Sequence, residues 1–413
     1  MTLEDFRGQG PPGDIGTFQS PCSVLVYRYT FSGTTYICAA RQGDRGWVLV
    51  DYGIVDVTVV QSAINALAGN GTVFFTKARY SIPSVLNVDV TVLAVPKYVT
   101  LEGESGATLV KAAGNFIVIN ITSTHLVTTP DLLVTIKNLI IDSVDNLGVG
   151  IQFEDLDRLT LEHVITKNIG IGINGIDSIY RVDIIDCDIC AYGDGAHFNH
   201  VCNVYAVGSL FYSETANAVE LVGRSDVNSY IGNMFVGSVR GLYIRDSLGI
   251  IVHDCLFEAD STGIVIGSGG DASASFIGNQ FEFNTTDVST LADANCLFEG
   301  NIFFATPVLS LTPGTSRWYN NIGYNPKGNV ATPYPVAAGY ITDTAAAQAF
   351  PTSATNYTIS DSPKLITIYG GTVTSISIDG VVCGLTSGAF RLEPRQVLNV
   401  VWTGQPSSVV YAQ

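Results

Sequence analysis

The large apolar residues of this chain return at a spacing too long for a helix or a hairpin. A turn residue, an arbitrary residue and a large apolar residue recur at Asn138–Ile140, His163–Ile165, Cys187–Ile189, Ser209–Phe211, Asn233–Phe235, Cys255–Phe257, Asn279–Phe281 and Asn301–Phe303, with a degenerate copy at Asn321–Gly323. Successive copies begin 25, 24, 22, 24, 22, 24, 22 and 20 residues apart. Rungs of 20–25 residues suit three short strands per turn of a solenoid. The pattern predicts an all-β chain whose body is a right-handed parallel β-helix of about nine rungs between residues ~130 and ~325. Rungs stack about 4.8 Å apart, and asparagines repeated at one turn position can form a hydrogen-bonded ladder.

A second strand follows the loop after each anchor. Its inward pairs read Ile151/Phe153, Ile171/Ile173, Ala196/Phe198, Val219/Leu221, Leu242/Ile244 and Ile264/Ile266, often after a glycine. Alternation then places two columns outward. The first is Gln152, Gly172, His197, Glu220, Tyr243, Val265, and the second is Glu154, Asn174, Asn199, Val222, Arg245, Gly267.

The flanks read differently. Residues 1–20 are Gly- and Pro-rich and predict a linker or attachment segment, and residues 21–57 alternate as a small β-meander punctuated at Ser32-Gly33 and Gly43. A short helix follows, with Thr58 as N-cap, Val60, Ala63, Ile64 and Leu67 as its apolar face, and Gly69 as its stop. Residues 71–80 read as one strand, so helix and strand together cap a body that spans 58–327. Residues 328–357 are Ala-, Thr- and Pro-rich and predict a linker. Residues 358–413 predict a C-terminal antiparallel β module with a hairpin at Asp379-Gly380. The aromatic group Phe298, Phe303, Phe304, Trp318 and Tyr319 reads as the closing cap of the solenoid core.

Composition narrows the partners. The 413 residues carry a net charge of -17, with 46% hydrophobic and 14% charged residues. That balance suits a long buried core and disfavours nucleic acid, whose phosphates need clustered Lys and Arg. A neutral or cationic glycan fits better, unless a local basic patch exists. No apolar run reaches the ~18–20 residues of a membrane span. The N-terminus shows no export-type leader, and this reads as a protein made in a cytoplasm. Cys187 and Cys190 form a CxxC without a second copy, so no metal or cofactor is expected; small buried thiols are the reading. Cys22 and Cys38 flank a hairpin and could pair.

These features resemble the pectin-lyase-like superfamily, and within it the β-helical tail spikes of viruses. The segment Gln61–Leu67, Val73-Phe74-Phe75 and Tyr80 is similar to the N-terminal cap of that group, although Thr76 and Ala78 stand where Pro and Gly are typical. The resemblance covers roughly residues 55–325 and concerns the fold, not the activity. It implies a virion-surface spike or tail-fibre protein, a homotrimer recognising cell-surface polysaccharide and joined through its N-terminus to other tail or capsid proteins. Polygalacturonase motifs (N-T-D, D-D, G-H-G, R-I-K) are absent, as is the aspartate cluster of pectate lyases, so a pectinase is disfavoured.

The outward face still offers chemistry. Glu220, His197 and Glu214 are the candidate catalytic groups, because glycoside hydrolysis needs two carboxylates and a lyase needs a base. Tyr243, Arg245, Asn199, Gln152, Asp194 and Glu258 are the candidate glycan contacts, with Tyr243 to stack on a sugar ring and Arg245 to hold a carboxylate or hydroxyls. Three classes stay open: a glycan-binding virion spike, a depolymerase on the same face, and a secreted cellular carbohydrate-active enzyme or adhesin.

Overall fold

The computed structural model describes residues 23–43, 46–67, 70–89, 97–122, 132–179, 181–237, 239–267, 272–290, 294–304, 309–311, 317–319, 321–323, 334–336, 339–340, 353–354, 356–358, 364–369, 372–392, 396–404 and 407–412. The body is a parallel β-solenoid with three faces. Sheet A runs from Asn70–Phe75 to Arg317–Tyr319, sheet B from Arg79–Ile82 to Asn321–Gly323, and sheet C from Leu86–Asp89 to Leu309–Leu311. Each rung contributes one strand to each sheet, and sheet C stacks 10 of them. The solenoid therefore begins well before residue 130. Its first rungs escape the anchor pattern because their spacing is longer: Val73 pairs with Leu101, and Leu101 aligns with Ile136.

The N-terminal end is closed by the predicted meander. Val24–Phe31, Thr34–Gly43 and Gly46–Gly53 run antiparallel, turned at Ser32 (φ 50°) and Gly33 (φ 79°). Val24–Val26 then lies parallel beside Val73–Phe75, covering the edge of sheet A that would otherwise expose unpaired backbone. The helix is Asp56–Asn65, and it buries Val59, Val60, Ala63 and Ile64 against this end. Its N-cap is Val55, not Thr58, which sits inside the helix. Asp56 places a negative charge in the first turn, where the helix dipole favours it, and its carboxylate accepts the Ser81 N–H and pairs with Arg28. The predicted strand 71–80 breaks into Asn70–Phe75 and Arg79–Ile82, because the chain turns from sheet A to sheet B between them.

At the far end, Thr372–Ile378 turns through Asp379 (φ 50°) and Gly380 (φ 79°) into Val381–Val382, as the Asp-Gly pair predicts. With Asn356–Thr358 and Val397–Gly404 it forms a separate antiparallel sheet, whose Ile376, Leu398 and Val400 share one core with Ile366 and Phe390 of the antiparallel strands Lys364–Tyr369 and Gly388–Leu392. Residues 1–20, Cys22 and Gly69 lie outside the described residues, as does most of 328–357.

The interior is built from columns of like residues. On sheet B, Phe211, Phe235, Phe257, Phe281 and Phe303 stack ring on ring, with centroids 4.7–5.7 Å apart. Phe276 and Phe298 stack on sheet A at 4.7 Å. Phe298 and Phe303 are buried as expected of a closing cap, whereas Phe304 is 41% exposed; the side chains of Trp318 and Tyr319 lie outside the described residues.

At the turn from sheet A to sheet B, the expected ladder is present. The side chain of each residue at one position accepts the backbone N–H of the equivalent residue one rung earlier. Cys187 N–H donates to Ser209 Oγ (3.0 Å), Ser209 to Asn233 Oδ1 (2.8 Å), Cys255 to Asn279 Oδ1 (2.9 Å), Asn279 to Asn301 Oδ1 (2.9 Å) and Asn301 to Asn321 Oδ1 (2.9 Å). The two cysteines fit the same role: Val164 N–H points at Cys187 Sγ and Asn233 N–H at Cys255 Sγ, both 3.4 Å. Burial pushes the Cys187 thiol up to about 12 and the Cys255 thiol up to about 11. Cys190 stands in register with Tyr212 on sheet B, away from the ladder position that Cys187 fills.

The first two anchors need a correction. Asn138 and His163 are not ladder residues. They occupy the preceding position, whose backbone is left-handed in every rung from Asn138 (φ 55°) and His163 (φ 51°) through Asp186, Gly208, Gly232, Asp254 and Gly278 to Gly300. The ladder position in those two rungs holds Leu139 and Val164, and the buried partners are Ile141 and Thr166, not Ile140 and Ile165. Asparagine suits both jobs, since it tolerates positive φ and also bonds to backbone.

Asn301→Ala should remove the acceptor of two Asn279 donors and the donor to Phe276 O, all buried, and lower unfolding stability by about 2–4 kcal/mol in urea titration. Asn138→Gly, at a position requiring only positive φ, should stay within ~0.5 kcal/mol of wild type.

Candidate functional site

The register of sheet C decides which outward residues are neighbours. Gln152 pairs with Asn174, Asn174 with His197, His197 with Glu220, and Glu220 with Tyr243. The expected columns were therefore shifted by two residues in one rung. Asn174 belongs to the first column in place of Gly172, and Ile176 to the second in place of Asn174. The inward pair there is Ile173 and Gly175, not Ile171 and Ile173. Register with Phe153 makes this position inward, and only glycine fits it because the Phe153 ring fills the space: a Cβ at Gly175 would lie 2.6 Å from that ring.

Three ionisable groups converge at the middle of this face. His197 Nδ1 lies 2.9 Å from Glu220 Oε2 and 4.0 Å from Asp194 Oδ2. One ligand-type atom from each of Asp194, His197 and Glu220 falls within 4.8 Å of the others, a spacing that could also hold a cation. Their side chains are only 15–27% exposed, so each feels the others strongly. The Glu220 hydrogen bond raises the His197 pKa above its ordinary value, against the opposing effect of burial. The same bond lowers Glu220, helped by Arg245 and Arg240. Asp194 moves the other way: burial raises its carboxyl, and the Glu220 charge adds to this. Two carboxylates on adjacent rungs are thus held apart in proton affinity.

Asp194 is also anchored to the rung above. Its Oδ1 accepts from both the backbone N–H and the side-chain amide of Asn217, each at 3.0 Å. Asn217 Oδ1 in turn takes a long bond from Arg240 Nη1 at 3.5 Å. The Arg240 guanidinium lies 4.6 Å from the centre of the Tyr243 ring. Tyr243 leans across Gly267 on the next rung, where a Cβ would meet its hydroxyl at 2.8 Å. One face of the ring is thus engaged by Arg240. Arg245 is exposed at the end of the same strand, and among the described residues neither arginine has a carboxylate within 4.0 Å.

The structure therefore brings together Asp194, His197, Glu220, Tyr243 and Arg245. Gln152 lies on the same column and accepts from Asn174 Nδ2 at 3.0 Å, and Asn199 borders it, its Oδ1 over Gly223. Glu214 is exposed in the loop before Asn217, and no described contact ties it to the cluster. Glu258 ends a strand of sheet B in register with Glu282, on a different face. Sequence reasoning missed Asn217 and Arg240. Their signal was positional: each stands two residues before an inward residue, Val219 or Leu242, as Asp194 stands before Ala196.

No protein-family model and no curated protein sequence matches the chain. Solved structures do. Full-length tailspike protein 2 of the Escherichia coli O157:H7 bacteriophage CAB120 aligns at a TM-score of 0.51 with 10% identity, over 100% of this chain and 71% of that one. The ORF18 protein of Geobacillus virus E2 aligns at 0.45 with 14% identity, over 91% and 82%. The A-module of a mannuronan C-5 epimerase of Azotobacter vinelandii aligns at 0.36 with 13% identity, over 66% and 96%. At 10% identity the likeness to tailspike protein 2 concerns the fold alone, a parallel β-solenoid. Among the described residues no helix is long and apolar enough to cross a membrane.

The His197–Glu220 pair gives stability a defined pH window. His197, raised on folding, contributes fully below its ordinary value of 6.5, and this is lost as pH rises through the raised value. Glu220, lowered on folding, contributes fully above its ordinary value of 4.5, and this is lost as pH falls through the lowered value. Thermal melts of wild type should gain most over His197→Gln between these two values, and the gain should shrink on either side.

Proposed function

We propose that this chain is a spike-like protein of a virion surface that holds cell-surface polysaccharide on sheet C and acts as a homotrimer. The observation that carries the reading is the Asp194–His197–Glu220 cluster, flanked on the next rung by Tyr243, Arg240 and Arg245 on an open sheet face. Donors, acceptors and an aromatic ring edge converge there, as sugar hydroxyls and ring faces require. The Gly- and Pro-rich segment 1–20 is the part assigned to attachment on the particle.

A second reading, cleavage of the same polymer, is favoured by the opposite pKa shifts of Asp194 and Glu220. A pair of carboxyls pushed apart can divide the roles of acid and base. Asp194, raised by burial, suits the acid that protonates the departing glycosidic oxygen. Glu220, pushed down by its bond to His197, suits the nucleophile. Their oxygens lie within 4.8 Å, near the roughly 5–5.5 Å spacing of retaining enzymes and short of the roughly 6.5–9.5 Å that accommodates an attacking water. Cleavage would then retain anomeric configuration. A lyase would instead use His197 as base.

The test is retention of a panel of bacterial capsular and O-antigen polysaccharides by the purified full chain, with reducing ends, ultraviolet absorbance and product configuration followed. Binding of at least one polymer is expected. If it is cleaved, Glu220→Gln should lower the rate at least 100-fold while retaining binding. Retention of no polymer would overturn the reading. Mass measurement in solution should give three copies, and a monomer at micromolar concentration would remove the trimer from it.

A further inference from the structure

The corrected register of sheet C exposes a feature beyond the cluster. Below His197, the same outward column is carboxamide in four consecutive rungs: Asn87, Asn120, Gln152 and Asn174. The equivalent outward columns of the other faces do not repeat this. In the same four rungs the column on sheet A is threonine throughout, Thr72, Thr100, Thr135 and Thr160, and on sheet B it reads Arg79, Thr108, Ile140, Ile165. Run on through His197, Glu220 and Tyr243, the polar column crosses seven rungs before it meets the buried Val265. Six rung spacings make about 29 Å.

The amides are braced but not saturated. Asn174 Nδ2 donates to Gln152 Oε1 at 3.0 Å, and Asn120 Nδ2 reaches Asn87 Oδ1 only at 3.4 Å. Each carboxamide brings two donors and an acceptor with two lone pairs, so one bond along the column leaves most of its capacity unused. Asn120 Oδ1 is shielded from bulk water and has no hydrogen-bond partner among the described residues. At the foot of the column, Asn87 is clamped by Gln61, through Nε2 to Asn87 O (2.9 Å) and Asn87 N–H to Oε1 (2.8 Å). A polar groove lined by Gln61, Ser62, Asn65, Ser84 and Asn87 opens there.

We infer that this amide column is a binding track for a linear polysaccharide, which lies parallel to the solenoid axis and reaches the Asp194–His197–Glu220 cluster from the N-terminal side. Neutral amides match hydroxyl groups, which both donate and accept, and they do so without the desolvation cost of a charge. One amide per rung, about 4.8 Å apart, is close to the length of one sugar unit in an extended chain. At the cluster end Tyr243, Arg240 and Arg245 continue the track. The ligand class is therefore a stretch of about six units, not a short oligosaccharide.

This inference rests on the glycan-binding reading, and the experiment separates the two. The probe is the polymer retained in the panel, cut by mild acid into a size series and measured against the full chain by calorimetry. Affinity should rise with fragment length and level off near six units. The double variant Asn120→Ala/Asn174→Ala should weaken binding of long fragments about tenfold, equivalent to 1.4 kcal/mol, and leave the shortest fragments unchanged. Thermal melting of each variant within a few degrees of wild type establishes that the fold is retained; Asn174→Gln, which keeps the amide, should restore most of the loss. Affinity independent of length, or a double variant indistinguishable from wild type on long fragments, overturns the track while leaving glycan binding intact. Retention of no polymer overturns both.

Discussion

The structure depends on one repeated bond: a turn side chain that accepts the backbone N–H of its counterpart one rung earlier. From Cys187 to Asn321 this bond locks each rung to its neighbour at the turn between sheets A and B. A parallel stack can slip, and a slip of one residue would exchange inward and outward side chains on a whole strand. The ladder prevents it, because a buried amide in the wrong register would lose its partners in an interior that cannot supply water. The phenylalanine stack follows two residues later and inherits the same register.

The outward face is a consequence of that lock. Once the turns are pinned, His197 and Glu220 must stand side by side, and a 2.9 Å bond forms between residues 23 apart in sequence. Partial burial leaves their interaction strong, so the bond between them pushes the His197 imidazole up and the Glu220 carboxyl down, while burial pushes Asp194 next to them up. The site thus borrows its precision from sheet geometry. Asn217 adds a further brace by fixing Asp194 from the rung above.

Charge has to be read locally on such an elongated molecule. A net charge of -17 argues against polyanionic partners for the chain as a whole. At physiological salt, however, exposed charges are screened beyond about 8 Å. The outward face of sheet C sets Arg240, Arg245 and His197 against Asp194 and Glu220, a near-balanced set preceded by four neutral amides. The tailspike likeness is a statement about the stack and leaves the ligand to these residues.

The repeat, the class of fold, the ladder from Cys187 onward and the Ser32-Gly33 and Asp379-Gly380 hairpins were all legible in the sequence. Each is written locally, in a period or in a residue suited to one backbone conformation. His197, Glu220, Tyr243 and Arg245 were also legible, because alternation alone points them outward. What only the tertiary structure decided is adjacency. Asn138 and Asn233 look alike in sequence, but one meets a backbone angle and the other fills a buried ladder. Gly175 hid an inward position, because the ring that occupies its space belongs to Phe153 a rung below. With that rung counted two residues out, the amide column could not be read, and the roles of Asn217 and Arg240 rest on contacts to Asp194 and Tyr243 that alternation does not show. The packing of one rung against the next determines them, and no single rung contains that information.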